Sequence, residues 1–236
     1  MALAEKASSN SSLKRFTYIL AGDGDLQEPI ALGASTLAGH WKLSNLVMFY
    51  DKNDIQITGN TCRADSTDYA KLYEAMGWHV QEIDGHNHEE IRSAIKSAQL
   101  NEKPSIIIGR TVIAKGSHSL ENSHKSHGAP FSEDEIKLTK EKLEIPQDSF
   151  FCNEDIIGHF QRNFHNLNSK IAKIDKEFEK NNYNLDQMFE SLSVPDFGSD
   201  LMATRQAFGL SLDEFAEKFP HIIEGSADLD GSNCTT

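Results

Sequence analysis

The positions whose residue types and spacing could do chemistry are Gly22-Asp23-Gly24-Asp25 and, 30 residues after Asp23, Asn53. Glycines let a ligand approach the backbone closely. Backbone N–H groups at the start of a following helix can cradle a phosphate. A carboxylate in the same turn repels that phosphate unless a cation lies between them. Asp23 beside a phosphate site therefore implies Mg2+, which bridges carboxylate and phosphate oxygens. Asn53 falls in Tyr50-Asp51-Lys52-Asn53-Asp54-Ile55. Its side-chain oxygen and a backbone carbonyl just after it are hard donors of the kind Mg2+ takes. The plainer alternative is an ordinary strand-to-helix turn, with Asp23 as a helix cap and Asn53 as a polar turn residue.

For Asp23 and Asn53 to act together, the fold must deliver both to one edge of a sheet. Phe16 to Ala21 reads as a buried strand ending at Gly22, and Leu46 to Tyr50 as a second. Trp78 to Ile83 and Ser105 to Ile108 read as two more. Helical stripes lie between them: Ile30, Ala34, Leu37 and Ala38; then Tyr69, Leu72, Tyr73 and Met76; then Ile91, Ala94, Ile95 and Ala98. Asn87 and Glu90 are placed as a capping box for the last of these. This alternation predicts an α/β fold, a parallel sheet with helices on both faces and right-handed crossovers. One strand–helix–strand unit separates Asp23 from Asn53. Both then emerge at the carboxyl ends of strands, where open parallel sheets bind ligands.

The remaining chain is less regular. Lys115 to Pro130 is rich in Gly, Ser, His and Asn and reads as a long loop. Ser132 caps a helix, with Glu135 three residues on. Residues 146–195 are polar and mostly helical, with one narrow stripe of Leu167, Ile171, Ile174 and Phe178. Residues 1–145 are expected to form one domain, 146–195 a helical linker, and 196–236 the start of a second α/β domain. That second domain is expected to include a short strand at His221–Ile223.

Composition excludes several classes of function. The 236 residues carry a formal net charge of −13, which argues against nucleic acid and against an anionic membrane surface. No apolar run is long enough for a transmembrane helix. Met1 to Ser12 contains no apolar core of a signal peptide. Cys62, Cys152 and Cys234 are odd in number and far apart, fitting neither a disulfide framework nor a zinc site. These features lead to the expectation of a cytoplasmic protein.

The motifs together resemble transketolase, a thiamine diphosphate (ThDP) enzyme family. Gly22-Asp23-Gly24-Asp25-Leu26-Gln27-Glu28 is similar to the family's GDG-x-x-x-E, and Leu46 through Asn53 to its KLIxFYDxN stretch. Leu37-Ala38-Gly39, Tyr73 through Val80 and Asp84-Gly85-His86 follow in step. His124-Lys125-Ser126-His127-Gly128-Ala129-Pro130 resembles its H-x-x-HGAP signature. Thr204-Arg205 and Gly225 through Asn233 resemble its TRK and GSADL-x-x-SN elements.

The resemblance implies roles residue by residue. Asp23, Asn53 and the Ile55 carbonyl would ligate Mg2+, and Gly24 would donate a backbone hydrogen bond to the diphosphate. His127 would stand by the diphosphate and the reacting end of the substrate. Glu28 would join a buried carboxylate network between the two active sites of a homodimer, although it also suits a helix N-terminus. Arg205 and Ser232 would grip a sugar phosphate, and Asp228 would touch the cofactor across the subunit interface. The implied activity is transfer of a two-carbon ketol unit between sugar phosphates in the pentose phosphate pathway. The chain reads as an internal piece of such an enzyme, lacking turnover alone and needing complementing segments. A dihydroxyacetone synthase-like or deoxyxylulose phosphate synthase-like enzyme, or a non-catalytic assembly fragment, remains an alternative. Asp25, Pro29 and Asp54 depart from the family pattern.

Overall fold

The computed structural model describes residues 1–7, 15–178, 184–198, 201–219 and 229–234. The chain divides into two compact units, Met1–Phe151 and Cys152–Thr236.

The first unit opens with a short helix α1 (Ala2–Ala7), then β1 (Thr17–Gly22), a single helical turn α2 (Asp23–Leu26) and α3 (Pro29–His40). Next come β2 (Leu46–Lys52), a small hairpin of β3 (Ile55–Gln56) and β4 (Gly59–Asn60), and α4 (Tyr69–Ala75). β5 (His79–Asp84), α5 (His88–Leu100), β6 (Ser105–Arg110) and α6 (Glu133–Lys142) complete it. The four long strands form one sheet in the order β1-β2-β6-β5, every neighbour parallel.

Alternation along β2 and β6 sends side chains to both faces. Met48, Tyr50, Ile106 and Ile108 share one core with Ala38, Tyr69, Tyr73 and Trp78. Val47 and Ile107 share another with Ala94 and Ala98. Helices α3 and α4 therefore cover one face and α5 the other, as the strand–helix alternation predicts.

The buried face of α3 differs from the expected one. Ile30 and Leu37 are 80% and 48% exposed; Ala38 is buried as expected, but beside Ser35 and Gly39. Small residues let α3 approach the end of α4 closely. The Ser35 carbonyl accepts the Trp78 indole N–H at 2.8 Å, and its hydroxyl lies 3.1 Å from that of Tyr73.

The second unit contains α7 (Glu154–Phe178), α8 (Leu185–Glu190), α9 (Thr204–Lys218) and α10 (Asp230–Asn233). Phe189 and Phe215 both pack on Phe219, with centroids 5.1 and 5.8 Å away. The strand expected at His221–Ile223 and the Asp228 position lie outside the described residues. No helix among the described residues is long and apolar enough to cross a membrane.

Candidate cofactor site

Parallel register places the ends of β1 and β2 side by side, Gly22 opposite Asp51. The turn that follows β1 therefore meets the turn that follows β2, and Asp23 and Asn53 come to one edge. Asp23 is 5% exposed. Its Oδ1 accepts a hydrogen bond from the Tyr50 hydroxyl at 2.6 Å. Its Oδ2 is buried with no hydrogen-bond partner. Burial pushes the carboxyl above the usual Asp range; the Tyr50 hydroxyl opposes this, and the Asp54 charge adds to it. The same contact drives the Tyr50 phenol far above its usual value, through burial first and Asp23 second.

A buried carboxylate oxygen without a partner is costly. An orphaned buried carboxylate oxygen fits the role of a metal ligand. The surroundings agree. Asn53 Oδ1 accepts from the Ile55 N–H at 2.9 Å, and an amide oxygen keeps a second lone pair. A Cβ added at Gly24 would meet nothing within 4 Å, so space over that backbone is open. Among the described residues no group of three or more His, Cys, Asp or Glu could hold a metal ion. One carboxylate, one amide and one carbonyl instead suit a hard cation whose remaining ligands come from a phosphate group and water.

The three departures have local explanations. Asp25 Oδ2 accepts from the Gly22 N–H at 2.8 Å and closes the α2 turn. Pro29 occupies the first position of α3, where its fixed φ is pre-organised and its missing N–H costs nothing. Asp54 stands at φ 60, a left-handed conformation that favours glycine and that Asp tolerates better than most residues.

The other expected site residues are placed as follows. Glu28 is the residue before α3, exposed in this chain and without a capping bond. His127 ends a 3-10 turn, His124–Ser126, and is exposed. Among the described residues no hydrogen bond joins it to Asp23 or Asn53. Arg205 lies exposed in the first turn of α9, and Ser232 exposed in α10. His86, following β5, accepts the Val112 N–H at 2.8 Å and so ties two strand ends together at this edge.

Sequence reasoning missed two supports. Tyr50 was visible only as a strand residue, yet its hydroxyl fixes Asp23. Glu135 was read as a capping partner for Ser132, whose hydroxyl does accept the Glu135 N–H at 3.2 Å. The Glu135 carboxylate instead takes the Ser119 N–H at 2.8 Å and hydroxyl at 2.7 Å. His118 N–H bonds Thr139 and Lys142 bonds the Ser117 carbonyl, so the 115–130 loop is tied along α6.

These Ser119 bonds, the side-chain one foremost, hold the Glu135 carboxyl below its ordinary 4.5. A depressed folded value contributes stability above the unfolded pKa and loses it as pH falls through the folded value. Hydrogen-exchange protection of the Ser119 amide is expected to fall as pH drops below 4.5. Glu135→Gln should lower it already at neutral pH.

Known proteins decide the family. A family model described as the transketolase thiamine diphosphate binding domain matches residues 2–193. The chain belongs to the transketolase family. Transketolase of Sinorhizobium medicae is 36% identical over 254 residues, which cover 100% of this chain and 36% of the relative. The crystal structure of Campylobacter jejuni transketolase superposes with a TM-score of 0.90 at 37% identity, covering 100% of this chain and 39% of that one. A Pichia stipitis transketolase, solved in complex with sedoheptulose-7-phosphate, gives 0.80 at 30% identity, covering 100% and 38%. The chain thus spans between a third and two fifths of the length of these transketolases.

Proposed function

We propose that this chain supplies the diphosphate and Mg2+ half of a ThDP site and works in a transketolase that moves a two-carbon ketol unit between sugar phosphates. The observation that carries this reading is the buried Asp23 carboxyl with its unpartnered Oδ2, set beside Asn53 at the carboxyl edge of the sheet. When bound, ThDP supplies the carbon nucleophile and electron sink for breaking a ketose C–C bond.

The chain's own residues would act on charge and position. Asp23, Asn53 and the Ile55 carbonyl would hold Mg2+ against the diphosphate, offsetting an acidic protein's repulsion of phosphate. The Gly24 N–H would donate to a diphosphate oxygen over its open face. His127, on the exposed loop, would donate to phosphate or carry a proton at the reacting end of the sugar. Arg205 offers a permanent forked cation, which with Ser232 suits the sugar's phosphate. Asp228 would touch the cofactor, and Glu28 would enter a carboxylate network, in each case from the interface of a homodimer. We extend the reading to an enzyme of the pentose phosphate pathway in the cytoplasm.

The test is calorimetric titration with ThDP and Mg2+, on the chain alone and with the complementing remainder of a transketolase. Binding that requires both ThDP and Mg2+ is expected, with ketol transfer only in the complemented assembly. Turnover by the 236 residues alone would refute the division of labour. No binding in either state would leave a non-catalytic fragment.

A further inference from the structure

The loop that carries His127 runs along one face of α6. Glu135, Thr139 and Lys142 lie four and three residues apart, which stacks them on that face. Each takes one of three successive loop residues. Lys142 Nζ donates to the Ser117 carbonyl at 2.8 Å, and Thr139 Oγ1 accepts the His118 N–H at 3.0 Å. Glu135 accepts the Ser119 N–H and hydroxyl at 2.8 and 2.7 Å, one on each carboxylate oxygen. Glu135 is 8% exposed and is the last of these holds before the chain turns toward His127.

From Ser119 onward the path to His127 is hydrogen-bonded turn by turn. The Ser123 N–H reaches the Leu120 carbonyl at 3.2 Å, the Ser126 N–H the Ser123 carbonyl at 3.0 Å, and the His127 N–H the His124 carbonyl at 3.1 Å. The Asn122 N–H closes the base of the loop on the Ile113 carbonyl at 2.9 Å. Past His127 there is no comparable hold. Among the described residues, Gly128 to Phe131 make no hydrogen bond. His127 is therefore placed from the Ser119 side, with α6 and the chain leaving β6 as its two anchors.

We propose that Glu135 is a positioning residue, which by holding Ser119 fixes the turns that carry His127 and so sets where the imidazole meets the reacting end of the sugar. This rests on the role of His127 proposed above. Glu135→Ala removes both bonds to Ser119 and leaves the Asn122 anchor in place. A misplacement of about 1 Å costs a reaction about a hundredfold, so with one anchor kept a fall of about tenfold is expected.

The test is ketol transfer by the complemented assembly. It is run as a single turnover with the assembly in excess over the donor sugar, so that slow variants stay measurable. Glu135→Ala is expected to slow the wild type about tenfold and to cause no further loss in a His127→Ala background, because two residues that act through one group are not additive. A merely structural Glu135 would slow both backgrounds by the same factor, and that result overturns the proposal, as does an unchanged rate. Lys142→Ala loosens the far end of the same loop and should leave the rate unchanged. An equal fall there would remove the assignment to Glu135. Should Glu135→Ala fail to fold, Ser119→Ala takes its place in the same cycle, deleting the hydroxyl bond alone. A wild-type assembly without turnover, or one indifferent to His127→Ala, refutes the function proposed above and takes this proposal with it. Turnover that depends on His127 and not on Glu135 removes this proposal alone.

Discussion

Asp23→Asn is expected to weaken Mg2+-dependent ThDP binding at least about thirtyfold while leaving the chain alone more stable than the wild type. The two effects have one cause. Asp23 is buried, with one oxygen bonded to Tyr50 and the other without a hydrogen-bond partner, only the Asp54 and Asn53 N–H groups standing near the carboxyl. A buried charge without its counter-ion destabilises the fold, and an amide of the same shape removes the charge while its oxygen can still accept from the phenol. The ligand loses its anionic oxygen in the same step. Truncating one partner of a buried charge pair costs about 2–5 kcal/mol, so affinity should drop at least about thirtyfold. The stability gain should depend on pH in a defined direction. Burial raises the folded carboxyl above its ordinary 3.8. A raised carboxyl leaves stability intact below the unfolded value and reduces it as pH climbs through the folded value. Wild type and variant should therefore be closest below pH 3.8 and farthest apart near neutrality. Urea unfolding across that range, with calorimetry for binding, reads both. A variant that binds ThDP and Mg2+ as well as the wild type would remove Asp23 from the site.

The contrast between Asp23 and its supports shows what the linear sequence carries. Asp23 and Asn53 were legible because each terminates an apolar strand, and parallel pairing turns that into a shared edge. The sheet was legible for the same reason: Ile106, Ile107 and Ile108 form an unbroken apolar run that only a doubly covered strand can bury. Tyr50 was not legible as a partner of Asp23. A tyrosine near the end of a strand looks like packing until the turn after the neighbouring strand β1 is known to lie within hydrogen-bond reach. Glu135 was misread for a related reason. The local pattern with Ser132 is satisfied by the backbone N–H alone, and the carboxylate spends its acceptors on Ser119, 16 residues away. Arg205 and Ser232 are candidates through motif resemblance alone, since neither lies at a strand end. The misjudged face of α3 is instructive too. Periodicity weights large apolar residues such as Ile30 and Leu37, whereas this interface is set by how closely two backbones approach.

That closeness makes Gly39→Ala a substitution expected to destabilise the fold. A Cβ at Gly39 would stand 1.8 Å from the Met76 carbonyl oxygen and 3.3 Å from Trp78 Cδ1. The first obstacle is backbone at the end of α4, which cannot rotate aside as a side chain can. Relief requires α3 to retreat, and retreat stretches the Trp78 to Ser35 hydrogen bond and opens the packing around fully buried Tyr73. Overpacking costs about 1–3 kcal/mol and a buried hydrogen bond about 0.5–1.5 more. Alanine's better helix propensity returns only about 1 kcal/mol. A net loss of about 0.5–3.5 kcal/mol is expected, read as a fall in urea midpoint without a change in slope. Gly33→Ala is the matched control. It lies in the same helix, is exposed, and a Cβ there meets nothing within 4 Å. It should stabilise the chain by about 0.5–1 kcal/mol. Opposite signs for two glycine-to-alanine changes six residues apart cannot come from helix propensity, which is the same at both. They would come from the contact between α3 and the α4 turn, which holds the helix leading away from Asp23 against the sheet. Equal effects at the two positions would mean that α3 does not pack there.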